Sequence, residues 1–174
     1  MRDAHGRQID YIRLSVTDRC NLRCTYCMAE EMEFLPRRDL LTFEEIETLA
    51  RHLVVRGVRR IRLTGGEPLV RKGVLELVER LTRLRTHGLN ELTLTTNGTR
   101  LPEMAQDLFD VGVRRINISL DTLRRDRFAE LTRRDEFERV VSGIDAARDA
   151  GLAVRINAVA MRGTNDDELS LIHI

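Results

Sequence analysis

Strict two-residue alternation in five short segments, each separated from the next by helical periodicity, constrains this chain more than any other feature of it. Ile12, Leu14 and Val16 share one face of the first segment, opposite Arg13, Ser15 and Thr17. The same division sets Ile61 and Leu63 against Arg62 and Thr64, and Leu92 and Leu94 against Thr93, Thr95 and Asn97. It sets Ile116, Ile118 and Leu120 against Asn117, Ser119 and Asp121, and Val154 and Ile156 against Arg155 and Asn157. Period-2 and helical patterning predict strands over residues 9–17, 60–64, 91–96, 115–120 and 154–160, and helices over 42–56, 74–85, 102–111 and 137–150. Strand, helix, strand in sequence implies parallel strands joined by right-handed crossovers.

A parallel sheet covered on both faces reads as nearly continuous Val, Ile and Leu, which this one does not. Helices must bury their own apolar stripes, so they cover the apolar faces and leave the polar faces turned away. If the sheet curls, those polar residues line a lumen. A complete eight-unit barrel fills its interior with branched aliphatic residues and takes roughly 250 residues; this chain has 174. The other architecture is an open sheet with one solvated face, against which stands the Thr, Asn and Ser content where Lys and Glu are usual. Burying Arg13, Arg62 and Arg155 unpaired is expensive, so a lumen that contains them suits an anionic ligand.

Local signals agree with these boundaries. Thr42 and Glu45 form a candidate capping box, with Leu41 and Ile46 as a hydrophobic staple. Gly57, Gly88, Gly112 and Gly151 stand where helices should stop, and residues 57–61 and 112–116 are near copies. Basic residues number 29 and acidic ones 28, leaving a net charge of +1, which argues against nucleic acid or an acidic membrane as partner. No signal peptide or membrane span is recognisable, and a cytoplasmic location is expected. Arg so outnumbers Lys, whose single representative is Lys72, that genome composition explains much of it.

The three cysteines, Cys20, Cys24 and Cys27, fall within eight positions just beyond the first strand, at the edge where parallel α/β proteins gather their active sites. An odd, clustered count fits a reducing compartment and metal binding better than disulfides. Three thiolates can hold three irons of a [4Fe–4S] cluster and leave the fourth open. A structural zinc needs a fourth ligand, and His5, His52, His87 and His173 supply none at regular spacing.

The C-x3-C-x2-C spacing with Tyr26 before the last cysteine resembles the signature of the radical S-adenosylmethionine superfamily, and Thr64-Gly65-Gly66-Glu67-Pro68 resembles its GGEP motif. The stretches at residues 11–20, 61–64, 95–98, 117–121 and 165–168 are similar to the GTP 3',8-cyclase family of molybdenum cofactor biosynthesis, over residues 3–168. That resemblance implies an α/β fold: a partial (βα) barrel of the radical S-adenosylmethionine type, truncated at the C-terminus, with parallel strands and helices outside. It implies that Cys20, Cys24 and Cys27 hold the [4Fe–4S] cluster, that S-adenosylmethionine binds the open iron, and that Tyr26, Gly66 and Ser119 line its site. Arg13, Arg62, Thr95 and Arg155 match positions that contact GTP, and all four lie on the polar faces deduced above. A planar guanidinium fork suits phosphate oxygens.

At Arg155 the family commonly has Lys, and at Ala29 it usually has Pro. The implied reaction is reductive cleavage of the sulfonium, hydrogen abstraction from C3' of the GTP ribose by a 5'-deoxyadenosyl radical, and closure onto guanine C8. The product is (8S)-3',8-cyclo-7,8-dihydroguanosine 5'-triphosphate. The resemblance also implies an electron donor such as a flavodoxin or ferredoxin, a downstream cyclic pyranopterin monophosphate synthase, and a second C-terminal [4Fe–4S] cluster in longer relatives. No side chain is assigned as general acid or base, and the sequence sets no oligomeric state. Residues 1–168 are expected to be an incomplete core domain, and 169–174, which back-translate to a sequencing adapter, a non-native tail. Two other readings stay open: a peptide-modifying radical S-adenosylmethionine enzyme, and an inactive iron–sulfur-binding fragment.

Overall fold

The computed structural model describes residues 2–168. Five parallel strands form one sheet in the order β1 (Tyr11–Ser15), β2 (Arg60–Thr64), β3 (Glu91–Thr96), β4 (Arg115–Ser119), β5 (Ala153–Asn157). The connections are α1 (Phe43–Val55), α2 (Val74–Thr82), α3 (Leu101–Asp110) and the pair α4 (Arg125–Thr132) and α5 (Phe137–Asp149). A doubly wound sheet reverses its strand order, whereas an order that runs straight from first to last is a barrel wall. With right-handed crossovers throughout, every helix falls on one side. The fold is an α/β partial barrel with helices outside.

The register shows why the alternation matters. Leu14, Leu63, Leu94, Ile116 and Val154 stand in one row across all five strands. The three central members are fully enclosed, and Val54, Leu77, Leu81, Leu108, Val140 and Ala147 from the helices complete the same core. On the opposite face Arg13 pairs in register with Arg62 and Arg62 with Thr93, while Thr95, Asn117 and Arg155 form a second row. Thr93 and Asn117, at its centre, are buried; Arg13 and Arg155, on the edge strands, are exposed.

The expected capping box is present: Thr42 Oγ1 accepts from Glu45 N at 3.2 Å and Glu45 Oε2 from Thr42 N at 2.7 Å. Gly57 and Gly112, the repeated helix stops, adopt φ of 103° and 104°, left-handed values that other residues pay to reach. Four details differ from expectation, the first being that β1 and β5 end at Ser15 and Asn157, short of the expected 9–17 and 154–160. The last turn of the 74–85 helix tightens into a 3-10 turn, Arg83–His87. Leu41 stays half exposed instead of being covered as a staple. A helix, α4, occupies a stretch for which the sequence predicts no element, because it buries only Phe128, Leu131 and Thr132 and is otherwise polar. The expected tail at 169–174 lies outside the described residues.

Candidate functional site

The cysteine loop leaves the C-terminal end of β1 and lies on the end of α4. Arg23 N donates to Thr132 O at 2.9 Å and Thr25 N to Leu131 O at 2.8 Å. Leu22 is buried and anchors the loop in the core, while Cys24 O accepts from both Cys27 N and Met28 N in a tight turn. The Arg23 guanidinium ties the carbonyls of Cys20 and Leu22. At the far end Tyr26 Oη donates to Asp121 Oδ2 at 2.6 Å, just beyond β4. Burial first, then that bond, holds the Tyr26 hydroxyl well above the usual phenol range, in its donating form.

All three cysteines are free thiols, two half-buried and Cys27 exposed. Burial pushes the Cys24 thiol up to about 11, and Cys20, Asp121 and Cys27 push the same way. Burial likewise raises Cys20, against hydrogen bonds to its sulfur from Leu22 N and Asn97 Nδ2. Such thiols become ligands when an iron's charge displaces their protons. Among the described residues no set of three or more His, Cys, Asp or Glu side chains converges as on a single ion. Thiolates on separate irons of one cluster need no such convergence, so the trio fits a [4Fe–4S] core left one ligand short.

The second motif packs directly beneath this loop. Gly66 N donates to Thr17 O and Glu67 N to Arg19 O, each at 2.7 Å. A Cβ on Gly66 would stand 2.3 Å from Arg19 O and 2.7 Å from Asp18 O. The glycine is needed because two backbones touch, and the backbone it meets is the one entering Cys20. Glu67 is buried, and its carboxylate accepts from Leu69 N at 2.9 Å, Thr96 Oγ1 at 2.8 Å and Asn97 N at 2.6 Å. Burial outweighs these donors and pushes its pKa up to about 7. Asn97 continues the chain of contacts, with Nδ2 on Asn21 Oδ1 at 2.9 Å and Oδ1 accepting from Thr99.

Cys24, Tyr26, Asn97, Ser119, Asp121 and Phe128 line one small cavity between the cysteine loop and β4. Tyr26 and Ser119 therefore stand together, and Gly66 reaches the same neighbourhood only through Glu67 and Asn97. On the polar face Arg13 and Arg62 are register neighbours, and Thr95 and Arg155 flank Asn117. Four buried side-chain atoms among the described residues lack a partner, and three of them, Arg62 Nε, Arg115 Nε and Asn117 Oδ1, lie on this face. Buried polar groups are normally satisfied, so the face is built to meet a polar ligand. Residue reasoning missed Glu67, Asn97 and Asp121 as parts of the site. All three sit in motifs visible in the sequence, at strand ends where side chains from different strands meet.

Comparison with known proteins agrees with this arrangement. The model of the radical SAM superfamily matches residues 14–173. The GTP 3',8-cyclase of Rhodopseudomonas palustris is 58% identical over 97% of this chain and 49% of its own length. That of Bradyrhizobium diazoefficiens is also 58% identical, over the same shares. This chain thus spans about half the length of the curated relatives it matches. Among solved structures, Streptococcus suis SuiB bound to S-adenosylmethionine superposes with a TM-score of 0.75 at 19% identity, over 95% of this chain and 37% of that one. The hydrogenase maturase HydG superposes at 0.69 with 19% identity, over 86% and 34%. At these identities the structures share the fold alone. A thiol trio after the first strand, a glycine pair under it and a straight run of parallel strands place the chain where the family model does: it belongs to the radical SAM superfamily.

Proposed function

We propose that this chain is the cluster-bearing part of a GTP 3',8-cyclase. The observation that carries the reading is the polar face: Arg13, Arg62 and Arg155 rise from a sheet whose buried Arg62 Nε and Asn117 Oδ1 lack partners, alongside 58% identity to curated GTP 3',8-cyclases. Cys20, Cys24 and Cys27 would hold the cluster, and Tyr26, Gly66 and Ser119 would border S-adenosylmethionine. When bound, that pair supplies reductive cleavage of the sulfonium and carbon-radical chemistry.

The protein's own part is placement. Arg13, Arg62 and Arg155 bind the triphosphate through paired N–H donors, and Thr95 offers a hydroxyl beside Asn117. Asp121 fixes Tyr26, and the helix α4 fixes the loop from which the thiols project. One electron comes from an external carrier of the flavodoxin or ferredoxin kind, in a reducing cytoplasm that keeps the thiols free. This chain, which spans about half the length of those cyclases, loads the cluster without completing cyclisation by itself.

Anaerobic reconstitution with iron and sulfide, followed by EPR of the reduced protein, tests the reading. A [4Fe–4S] signal that changes on adding S-adenosylmethionine is expected, with 5'-deoxyadenosine formed. A signal indifferent to S-adenosylmethionine would remove the open iron, and GTP turnover by this chain alone would refute the reading of it as only the cluster-bearing part.

A further inference from the structure

The polar face carries one aromatic side chain, Tyr11, at the start of β1. Three arginines surround it. Arg13 Nε donates to Tyr11 Oη at 3.3 Å. The Arg62 guanidinium carbon lies 5.5 Å from the centre of the ring and that of Arg60 5.6 Å. Arg60 is already committed, since its Nη2 donates to Asp10 Oδ1 at 2.9 Å. Among the described residues neither Arg13 nor Arg62 pairs with a carboxylate. They occupy directly opposed register positions on neighbouring parallel strands, about 4.8 Å apart, where like charges oppose one another.

We propose that Tyr11 is a positioning residue for the substrate's triphosphate, holding Arg13 and Arg62 side by side as one anion-binding pair. The proposal rests on the GTP reading above and deepens it. The ring face attracts Arg62 electrostatically, which offsets the repulsion between the two guanidiniums. The hydroxyl takes the Nε–H of Arg13 and leaves both of its terminal nitrogens as a free fork, the geometry that matches phosphate oxygens. With its acceptor used by Arg13, the hydroxyl keeps its own proton for a second acceptor, such as a phosphate oxygen. Without Tyr11 the two charges separate into solvent, and a ligand has to gather them as it binds.

Two substitutions divide the role: Tyr11→Phe keeps the ring and removes the acceptor, and Tyr11→Leu removes both. Calorimetric titration of the 174-residue chain with GTP, inorganic tripolyphosphate and guanosine reads the outcome. Tyr11→Phe should weaken GTP and tripolyphosphate about tenfold, the low end for one lost charge-assisted hydrogen bond, and Tyr11→Leu about thirtyfold. Guanosine binding should be the same in all three proteins, which a merely structural role for Tyr11 would not produce. Wild-type affinity for tripolyphosphate in both variants, or an equal loss for all three ligands, overturns the proposal. Arg13→Ala and Arg62→Ala separate it from its premise. If neither weakens tripolyphosphate, or if the wild-type chain binds no polyphosphate, the assignment of the arginines fails and the role of Tyr11 fails with it.

Discussion

Glu67 sets two large effects against each other, and pH reveals which one wins. Its carboxylate takes three hydrogen bonds, from Leu69 N, Thr96 Oγ1 and Asn97 N, which favour ionisation, while near-complete burial disfavours it. Burial dominates, raising the pKa from 4.5 to about 7. A carboxyl whose pKa is higher folded than unfolded contributes most below the unfolded value. Its contribution is lost as pH rises from there through the folded value, because the native state then binds more protons than the unfolded one. At about 1.4 kcal/mol per pH unit, the interval from 4.5 to about 7 gives a loss of about 3 kcal/mol, complete by pH 8.

Glu67→Gln isolates this contribution. The amide cannot ionise, but its NH2 must face one of the two backbone N–H donors, a penalty of about 1–3 kcal/mol that does not depend on pH. Urea unfolding of both proteins under anaerobic reductant, at intervals from pH 5 to pH 8, cancels every other titrating group in the difference. The variant should be less stable at pH 5, and the gap should close or reverse by pH 8. A difference flat across that range would show that Glu67 does not titrate there, and one that widens with pH would show that the three donors outweigh burial.

Three other changes follow from single contacts. Gly66→Ala drives a Cβ to 2.3 Å from Arg19 O and should lower stability by about 3 kcal/mol, by overpacking and loss of two loop hydrogen bonds; an unchanged urea midpoint would contradict the close approach. Arg62→Met removes a guanidinium with a buried, unpartnered Nε, so stability should hold or rise by about 1 kcal/mol while GTP affinity, by calorimetry, falls at least about tenfold. Arg133 closes α4 at φ 55° without being glycine, so Arg133→Gly should raise the unfolding free energy by about 0.5–1 kcal/mol and leave iron loading unaltered.

The wall of the barrel was legible because its cause is local. Two-residue alternation assigns every strand residue to a face, and the row from Leu14 to Val154 is that assignment seen across the sheet. Helix α4 was not legible. Arg125–Thr132 carries two large apolar residues, Phe128 and Leu131, and what holds it is tertiary: the ion pair of Arg125 with Asp135 and the edge contact of Phe128 with Phe137 at 5.7 Å. Glu67 was hidden for the opposite reason. A carboxylate after two glycines carries no local sign of burial, and only the folded chain shows it enclosed by donors from its own turn, Leu69 N, and from the end of β3, Thr96 and Asn97.

The consequence for the site is that local turns shape the cysteine loop but distant residues place it. Tyr26 is held by Asp121, 95 residues away, and Asn21 by Asn97, 76 residues away. Its backbone rests on Leu131 and Thr132 at the end of the helix the sequence concealed. Closing loops of that length is entropically unfavourable until the strands between them have paired. The loop that carries the thiols is therefore positioned by β1 through β4 and α4 acting together. A cofactor bound to such a site stabilises the whole fold by mass action, so cluster loading should lift the stability of the entire sheet. Arg13 and Arg62 gain from the same arrangement: the strands that fix the cysteine loop at their C-terminal ends carry the two arginines side by side at one level, two residues before Ser15 and Thr64.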